Sequence, residues 1–260
     1  MRTYNVRAYN TARDSDNKIH DDAVAQRFGF TGALVPGADI YAYMMHIPIE
    51  YWGRAFLERA VSEYRFASPV YDGQNVEVAA REERDSILIE VTSQGRSCAA
   101  GSARLGTPSG LAAYQESPAP SPEHRPMASA TTLAPGTVLG TQRLEASREF
   151  MTAYLRDIGE TDDIYSREGL VHPGNVLRMC NYALIRNVKL GPWIHVGSKI
   201  QNLGLAHAGE TLWARARVLA NYEKKGHRFV ELDVLVLASE RSVAQVLHTA
   251  IYELRQAVRN

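Results

Sequence analysis

The chain is poor in the residues that announce the commoner chemistries. Only two cysteines, Cys98 and Cys180, occur in 260 residues. With no C-x-x-C or Cys/His spacing they argue against a zinc site or a disulfide framework, and two buried free thiols in a reducing cytoplasm are expected. No run approaches about 18 consecutive apolar residues, so no transmembrane helix is expected. The segment Met1 to Arg7 has no apolar signal core. Net charge is missing as well, since 29 basic and 29 acidic residues cancel; nothing calls for a nucleic acid or a membrane as partner. Gly-rich phosphate motifs are absent, which argues against a nucleotide cofactor. His46, His195, His207, His227 and His248 are scattered without ligand spacing, so no metal site is expected either. The expectation is a cytoplasmic protein that uses no cofactor.

What is present concentrates near the N-terminus. Asn17-Lys18-Ile19-His20-Asp21-Asp22 is followed by Phe28-Gly29-Phe30 and Val35-Pro36-Gly37. A polar turn (Thr11 to His20) follows a first strand over 2–9, and Asp21 or Asp22 can N-cap a short helix, Ala23 to Phe28, closed by Gly29. Pro36-Gly37 then opens a longer helix, about Ala38 to Leu57, with Ile40, Tyr43, Met44 and Ile47 at helical spacing; Pro48 and Gly53 are expected to kink or break it. The N–H groups at a helix mouth have no intrahelical partner and sit at the positive end of the dipole, so such a mouth attracts anions and developing oxyanions. A histidine, an amide side chain and a helix mouth therefore fall within about twenty residues.

Strands are predicted over Val61–Phe66, Asn75–Arg84, Ser86–Ser93 and Ser97–Leu105, with period-two alternation in Ile87-Leu88-Ile89-Glu90-Val91. Residues 107–135, rich in Pro, Ser and Ala, cannot continue a sheet and read as a linker laid over the surface. The second half then repeats the first. Gly169-Leu170-Val171-His172-Pro173-Gly174 echoes Gly32-Ala33-Leu34-Val35-Pro36-Gly37, a helix candidate runs from Asn175 to Val188, and Lys199 to Leu203 matches Ser62 to Phe66. From the Pro-Gly glycine to the turn glycine is 36 residues in one half (37 to 73) and 35 in the other (174 to 209). Further strands are expected over Thr211–Ala220, Arg228–Ser239 and Ser242–Leu254. Such spacing of unlike residues points to two copies of one α+β unit, with boundaries at 1–106, 107–135 and 136–260.

A long helix wrapped by an antiparallel sheet, duplicated in one chain, resembles a double hotdog fold. Asn17-Lys18-Ile19-His20 with Gly37 resembles the motif of MaoC-like (R)-specific enoyl-CoA hydratases and dehydratases, Asp-x-Asn-Pro-x-His followed by His-Gly at the hotdog helix. The resemblance implies His20 as general base/acid, Asn17 as positioner of substrate and the Gly37 N–H as donor to the thioester oxygen. It further implies a substrate carried on coenzyme A or on an acyl carrier protein, water added or removed at a 2,3 double bond, and an acyl tunnel between helix and sheet. Two hotdog copies mimic the usual hotdog dimer, so a monomer or a homodimer is expected.

The sequence departs from that pattern. Ser15 stands where the motif has Asp, flanked by Asp14 and Asp16; Lys18 replaces the motif Pro, and Pro36 the His of His-Gly. Serine cannot relay a proton by itself, so Asp14 or Asp16 could substitute, with Ser15 left to bind substrate, or an acid from the other half (Asp157, Glu160, Asp162, Asp163) could reach across. A lone His20 still supports isomerisation, cyclisation or thioester hydrolysis, and a catalytically silent acyl-binding protein is the remaining alternative. His172 reads as structural, in a degenerate second copy. Arg54, Arg59 and Lys224-Lys225 could meet carrier phosphates, although a solvated face explains them equally well.

Overall fold

A computed structural model describes residues 1–15, 17–107 and 113–255. Asp16 and the central part of the linker, 108–112, lie outside the described residues. The chain begins with β1 (Arg2–Arg7), a 3-10 turn (Lys18–His20) and α1 (Asp22–Arg27). Then come α2 (Gly37–Trp52), α3 (Arg54–Arg59), β2 (Ala60–Phe66), β3 (Asn75–Glu83), β4 (Ser86–Ser93) and β5 (Arg96–Leu105). The second half holds β6 (Val138–Glu145), α4 (Arg148–Asp157), α5 (Ile164–Glu168), α6 (Pro173–Ile185), β7 (Ile194–Asn202), β8 (Thr211–Lys224), β9 (His227–Ala238) and β10 (Arg241–Glu253).

The strands make one antiparallel sheet in the order β1-β3-β4-β5-β2-β7-β10-β9-β8-β6. Each half contributes five strands around one long helix, in the expected α+β double hotdog arrangement, but the two sheets are continuous rather than separate. Alternation builds the inner face: Ile87, Ile89 and Val91 of β4 are buried while Glu90 between them is exposed. From Ala38 to Ile49 nearly every residue of α2 is buried, which marks a helix enclosed on all sides. Pro48 does not break it; α2 runs on to Trp52 and stops at Gly53, whose φ of 53° is left-handed.

The halves join at β2–β7, where Glu63 pairs with Lys199 and Tyr64 with Ser198. Gly197 permits the approach, because a Cβ there would fall 2.5 Å from the Tyr64 carbonyl oxygen. The pairing also corrects the register of the repeat. Leu34 bridges Tyr71 as Leu170 bridges His207, α2 starts at Gly37 and α6 at Pro173, and β3 starts at Asn75 and β8 at Thr211. Each of these pairs is 136 residues apart, so Glu63 faces its own counterpart Lys199 across a pseudo-twofold axis. The structural partner of Gly37 is thus Pro173, and the unequal spacings of 36 and 35 came from matching Pro-Gly to Pro-Gly one residue out of step.

Two buried polar clusters tie the helical layer together. Arg178 of α6 donates to Asp39 of α2 at 2.9 Å, and Thr11 (2.5 Å) and Tyr154 (3.1 Å) donate to the same carboxylate. Glu160 accepts from His46 at 2.7 Å and lies 3.4 Å from His172. Burial opposes the Glu160 charge, but the two imidazoles outweigh it and hold the carboxyl well below its usual range. Burial likewise opposes the charge on His46, and Glu160 outweighs it, so His46 is raised.

The lowered Glu160 contributes stability above pH 4.5 that is lost as pH falls further, and the raised His46 contributes stability below pH 6.5 that is lost as pH climbs through its raised value. Urea midpoints of wild type and Glu160→Gln should therefore differ most between these two values, with the gap narrowing on either side. A gap independent of pH would contradict the pairing.

Candidate active site

The segment before α1 is a chain of local caps. Asn17 accepts from the Ile19 N–H and opens the 3-10 turn, and Asp21 accepts from the Val24 N–H to cap α1. Asn10 fastens the turn from outside by donating to the His20 carbonyl at 3.0 Å. Asp22 receives the Ala33 N–H at 2.7 Å, which brings the chain back beside the turn before α2 begins.

This scaffold dictates the His20 tautomer. Nδ1 lies 2.7 Å from the Leu34 carbonyl oxygen, which can only accept, so Nδ1 carries the proton and Nε2 presents a lone pair. Burial pushes the His20 pKa down; the Leu34 carbonyl and Asp39 oppose this in part, while Arg178 adds to it, and the net shift is downward. His20 is thus a neutral imidazole near pH 7 whose basic nitrogen is Nε2.

Asn17 holds that nitrogen and spans the two halves. Its Nδ2 donates to the Trp193 carbonyl (3.1 Å) and approaches His20 Nε2 (3.3 Å), while its Oδ1 accepts from the Trp193 N–H (3.3 Å). One buried amide therefore saturates both backbone groups of Trp193, a residue 176 positions away, and points a donor at the base.

The two helix mouths differ. The N-cap of α2 is Pro36, with no side-chain acceptor; its carbonyl takes the Asp39 N–H at 2.9 Å, so the Gly37 and Ala38 N–H groups are the ones left without a capping partner. At α6 the N-cap is His172, whose Nδ1 accepts the Gly174 N–H at 3.1 Å. Space follows the same asymmetry: a cleft of about 230 Å³ opens at the α2 mouth, and a cavity of only about 20 Å³ remains beside Pro173 at the other.

The larger cleft is walled by apolar side chains such as Ile40, Phe66 and Val70, with His20, Asn17 and Gly37 among them. Asn181, Trp193 and His195 complete it from the second half. Each of those three carries a buried polar atom without a partner: Asn181 Oδ1, Trp193 Nε1 and His195 Nδ1. Orphaned polar atoms are costly, and the three residues that carry these line one cleft. Their signals in sequence were faint, because all three come from the half without the motif.

Of the residues singled out by sequence, His20, Asn17 and Gly37 share this cleft. Asp14 and Ser15 do not; they line an adjoining groove of about 450 Å³ that meets the cleft at Asn17 and Trp193. Asp157, Glu160, Asp162 and Asp163 are not among the cleft residues either, and no carboxylate lines it among the described residues. Arg54 is engaged by Glu58 and Glu168. The groove instead carries Arg125, Arg186 and Lys189, which make no carboxylate ion pair among the described residues. Among those residues no helix is long and apolar enough to cross a membrane.

No protein-family model and no curated protein matches the sequence. Solved structures do match in fold. A MaoC-like dehydratase aligns with TM-score 0.64 at 12% identity, over 97% of this chain and 98% of that one. A conserved Mycobacterium tuberculosis protein, described as having a double hotdog fold, aligns with TM-score 0.65 at 14% identity, over 96% and 95%. A Chloroflexus aurantiacus protein described as a MaoC domain dehydratase aligns with TM-score 0.64 at 11% identity, over 98% and 95%. The chain therefore has the double hotdog fold, which it shares with MaoC-like dehydratases.

Asn17→Ala leaves both backbone groups of Trp193 unpaired, which should lower stability by about 2–4 kcal/mol. Asn17→Asp still accepts from the Trp193 N–H but sets a carboxylate beside His20, so the His20 titration followed by NMR should move to higher pH. An unmoved titration would remove Asn17 from the base's environment.

Proposed function

We propose that the protein is an acyl-thioester hydratase or dehydratase that adds or removes water at a 2,3 double bond. One observation carries this reading: the Nε2 lone pair of a neutral His20 and the uncapped mouth of α2 share one mainly apolar cleft. In hydration His20 takes a proton from water as the oxygen bonds to C3. The electron pair of the double bond moves onto the thioester oxygen, which the Gly37 N–H receives at the positive end of α2. The His20 imidazolium then gives a proton to C2 as the carbonyl re-forms, so water is divided between the two carbons and the base is regenerated. Dehydration is the reverse. Asp14 and Ser15 do not line the cleft and no carboxylate does among the described residues, so both transfers are assigned to His20 in this reading.

The carrier reading, coenzyme A or an acyl carrier protein, is supported by the adjoining groove. Both carriers bring a phosphate-bearing arm, and Arg125, Arg186 and Lys189 sit one residue pair, Asn17 and Trp193, away from the reacting end. The lack of a carboxylate in the cleft among the described residues favours, as a second reading, a one-base isomerisation that moves the double bond along the chain.

Loss of enoyl-thioester absorbance across a panel of trans-2-enoyl-CoA substrates tests the first reading. Turnover should fall by at least about 10²-fold in His20→Ala. Because the His20 pKa is lowered, kcat/KM should be flat near neutrality and decline only as pH drops below 6.5. No wild-type turnover at any chain length would remove hydration and leave isomerisation to be assayed with 3-enoyl thioesters.

A further inference from the structure

One buried polar system plays no part in that reaction scheme. His195 Nε2 lies 2.9 Å from Ser198 Oγ, which lies 3.1 Å from His248 Nδ1, and the two rings are 4.2 Å apart. His195 is only 6% exposed and His248 is fully enclosed. Burial, with His248 adding and the Gly197 carbonyl weakly opposing, pushes the His195 pKa well down; burial alone takes His248 to about 3. Both rings are therefore neutral at physiological pH.

The free end of this chain meets the helix mouth. A methyl group at position 37 would come within 2.8 Å of His195 Nδ1, so that nitrogen is packed on Gly37, the residue with the uncapped N–H. It has no hydrogen-bond partner. The serine hydroxyl holds one proton, and two orientations pass it along the chain from ring to ring. In one, His248 Nδ1–H donates to Ser198, Ser198 donates to His195 Nε2, and His195 presents an N–H beside Gly37. In the other every bond is reversed and His195 presents a lone pair. An oxygen acquiring negative charge at the mouth selects the first.

We propose that His195 is a second donor to the substrate's carbonyl oxygen: its neutral Nδ1–H, set by Ser198 and His248, binds that oxygen together with the Gly37 N–H. The proposal rests on the acyl-thioester reading. Neutral imidazole suits the task because it stabilises an oxyanion without surrendering its proton to it. It also explains the glycine, since any side chain at 37 would displace the donor, and it makes the second half contribute chemistry as well as walls. Ser198 and His248 are positioning residues in this scheme.

The test compares kcat and KM of wild type, His195→Leu and His195→Gln on an enoyl-CoA substrate, alongside ¹⁵N-histidine NMR of wild type titrated with a saturated acyl-CoA. His195→Leu should lose about 10²–10³-fold in kcat with little change in KM, and His195→Gln, which keeps an N–H, should recover part of it. The saturated thioester should shift His195 Nδ1 to the protonated, hydrogen-bonded form. A His195→Leu kcat within about threefold of wild type overturns the proposal while leaving the hydratase reading intact. If wild type does not turn over, the NMR arm decides: a His195 shift upholds the donor role and removes only the reaction, and no shift overturns both. The same arm stands in if His195→Leu does not fold.

Discussion

The seam between β2 and β7 is the constraint on which the rest depends. It is a short antiparallel pairing with the pseudo-twofold axis between Glu63 and Lys199, and it determines what the two halves can show each other. Placed so, Trp193 arrives where the Asn17 amide can saturate its backbone, and His195 arrives over Gly37. The candidate site is therefore a product of the join. The first half holds the base and most of the walls, and Asn181, Trp193 and His195 of the second complete them; the carboxylate of Asp39, shared by Thr11, Tyr154 and Arg178, fastens the same two halves in the layer of helices.

Near-symmetry makes the asymmetry informative. Two helix mouths lie 136 residues apart, in equivalent frames, and physical chemistry asks the same of each: the first N–H groups must find acceptors. At α6 the chain answers from within, with the His172 ring on the Gly174 N–H and little space left over. At α2 it supplies a proline, no side-chain acceptor and an open cleft. A folded protein tolerates unmet polar groups where a ligand meets them, and on the proposed reading the uncapped mouth and the unpartnered atoms of Asn181, Trp193 and His195 share one explanation.

Much of this was legible in the sequence, for identifiable reasons. Strand positions followed from alternation and turn glycines, and β4 ends where the pattern said it should, because half-buried strands repeat every two residues. The cap at Asp21, one of the two candidates with Asp22, is local and was readable locally. Gly53 ends α2 as expected, whereas Pro48 does not break it, since enclosure by the surrounding core holds the helix together through it. The repeat was visible but one residue out of step, because Pro-Gly matched Pro-Gly in letters while the backbone matched Gly37 to Pro173. Strand β6 and helix α4, which flank the second copy, went unread. His195 and Trp193 were beyond reach for a different reason: their importance comes from contacts more than 150 residues away, which no spacing within a window encodes.

The central claim is that the open mouth of α2 receives a thioester oxygen and the capped mouth of α6 does not. A crystal structure with an unreactive acyl-CoA thioester tests it most directly. The expected result is a single bound acyl group whose carbonyl oxygen lies about 2.7–3.1 Å from the Gly37 nitrogen, with C2 and C3 facing His20 Nε2 and the His172–Gly174 contact undisturbed. An acyl group lodged at the α6 mouth, or one bound with its carbonyl turned away from Gly37, would contradict the account.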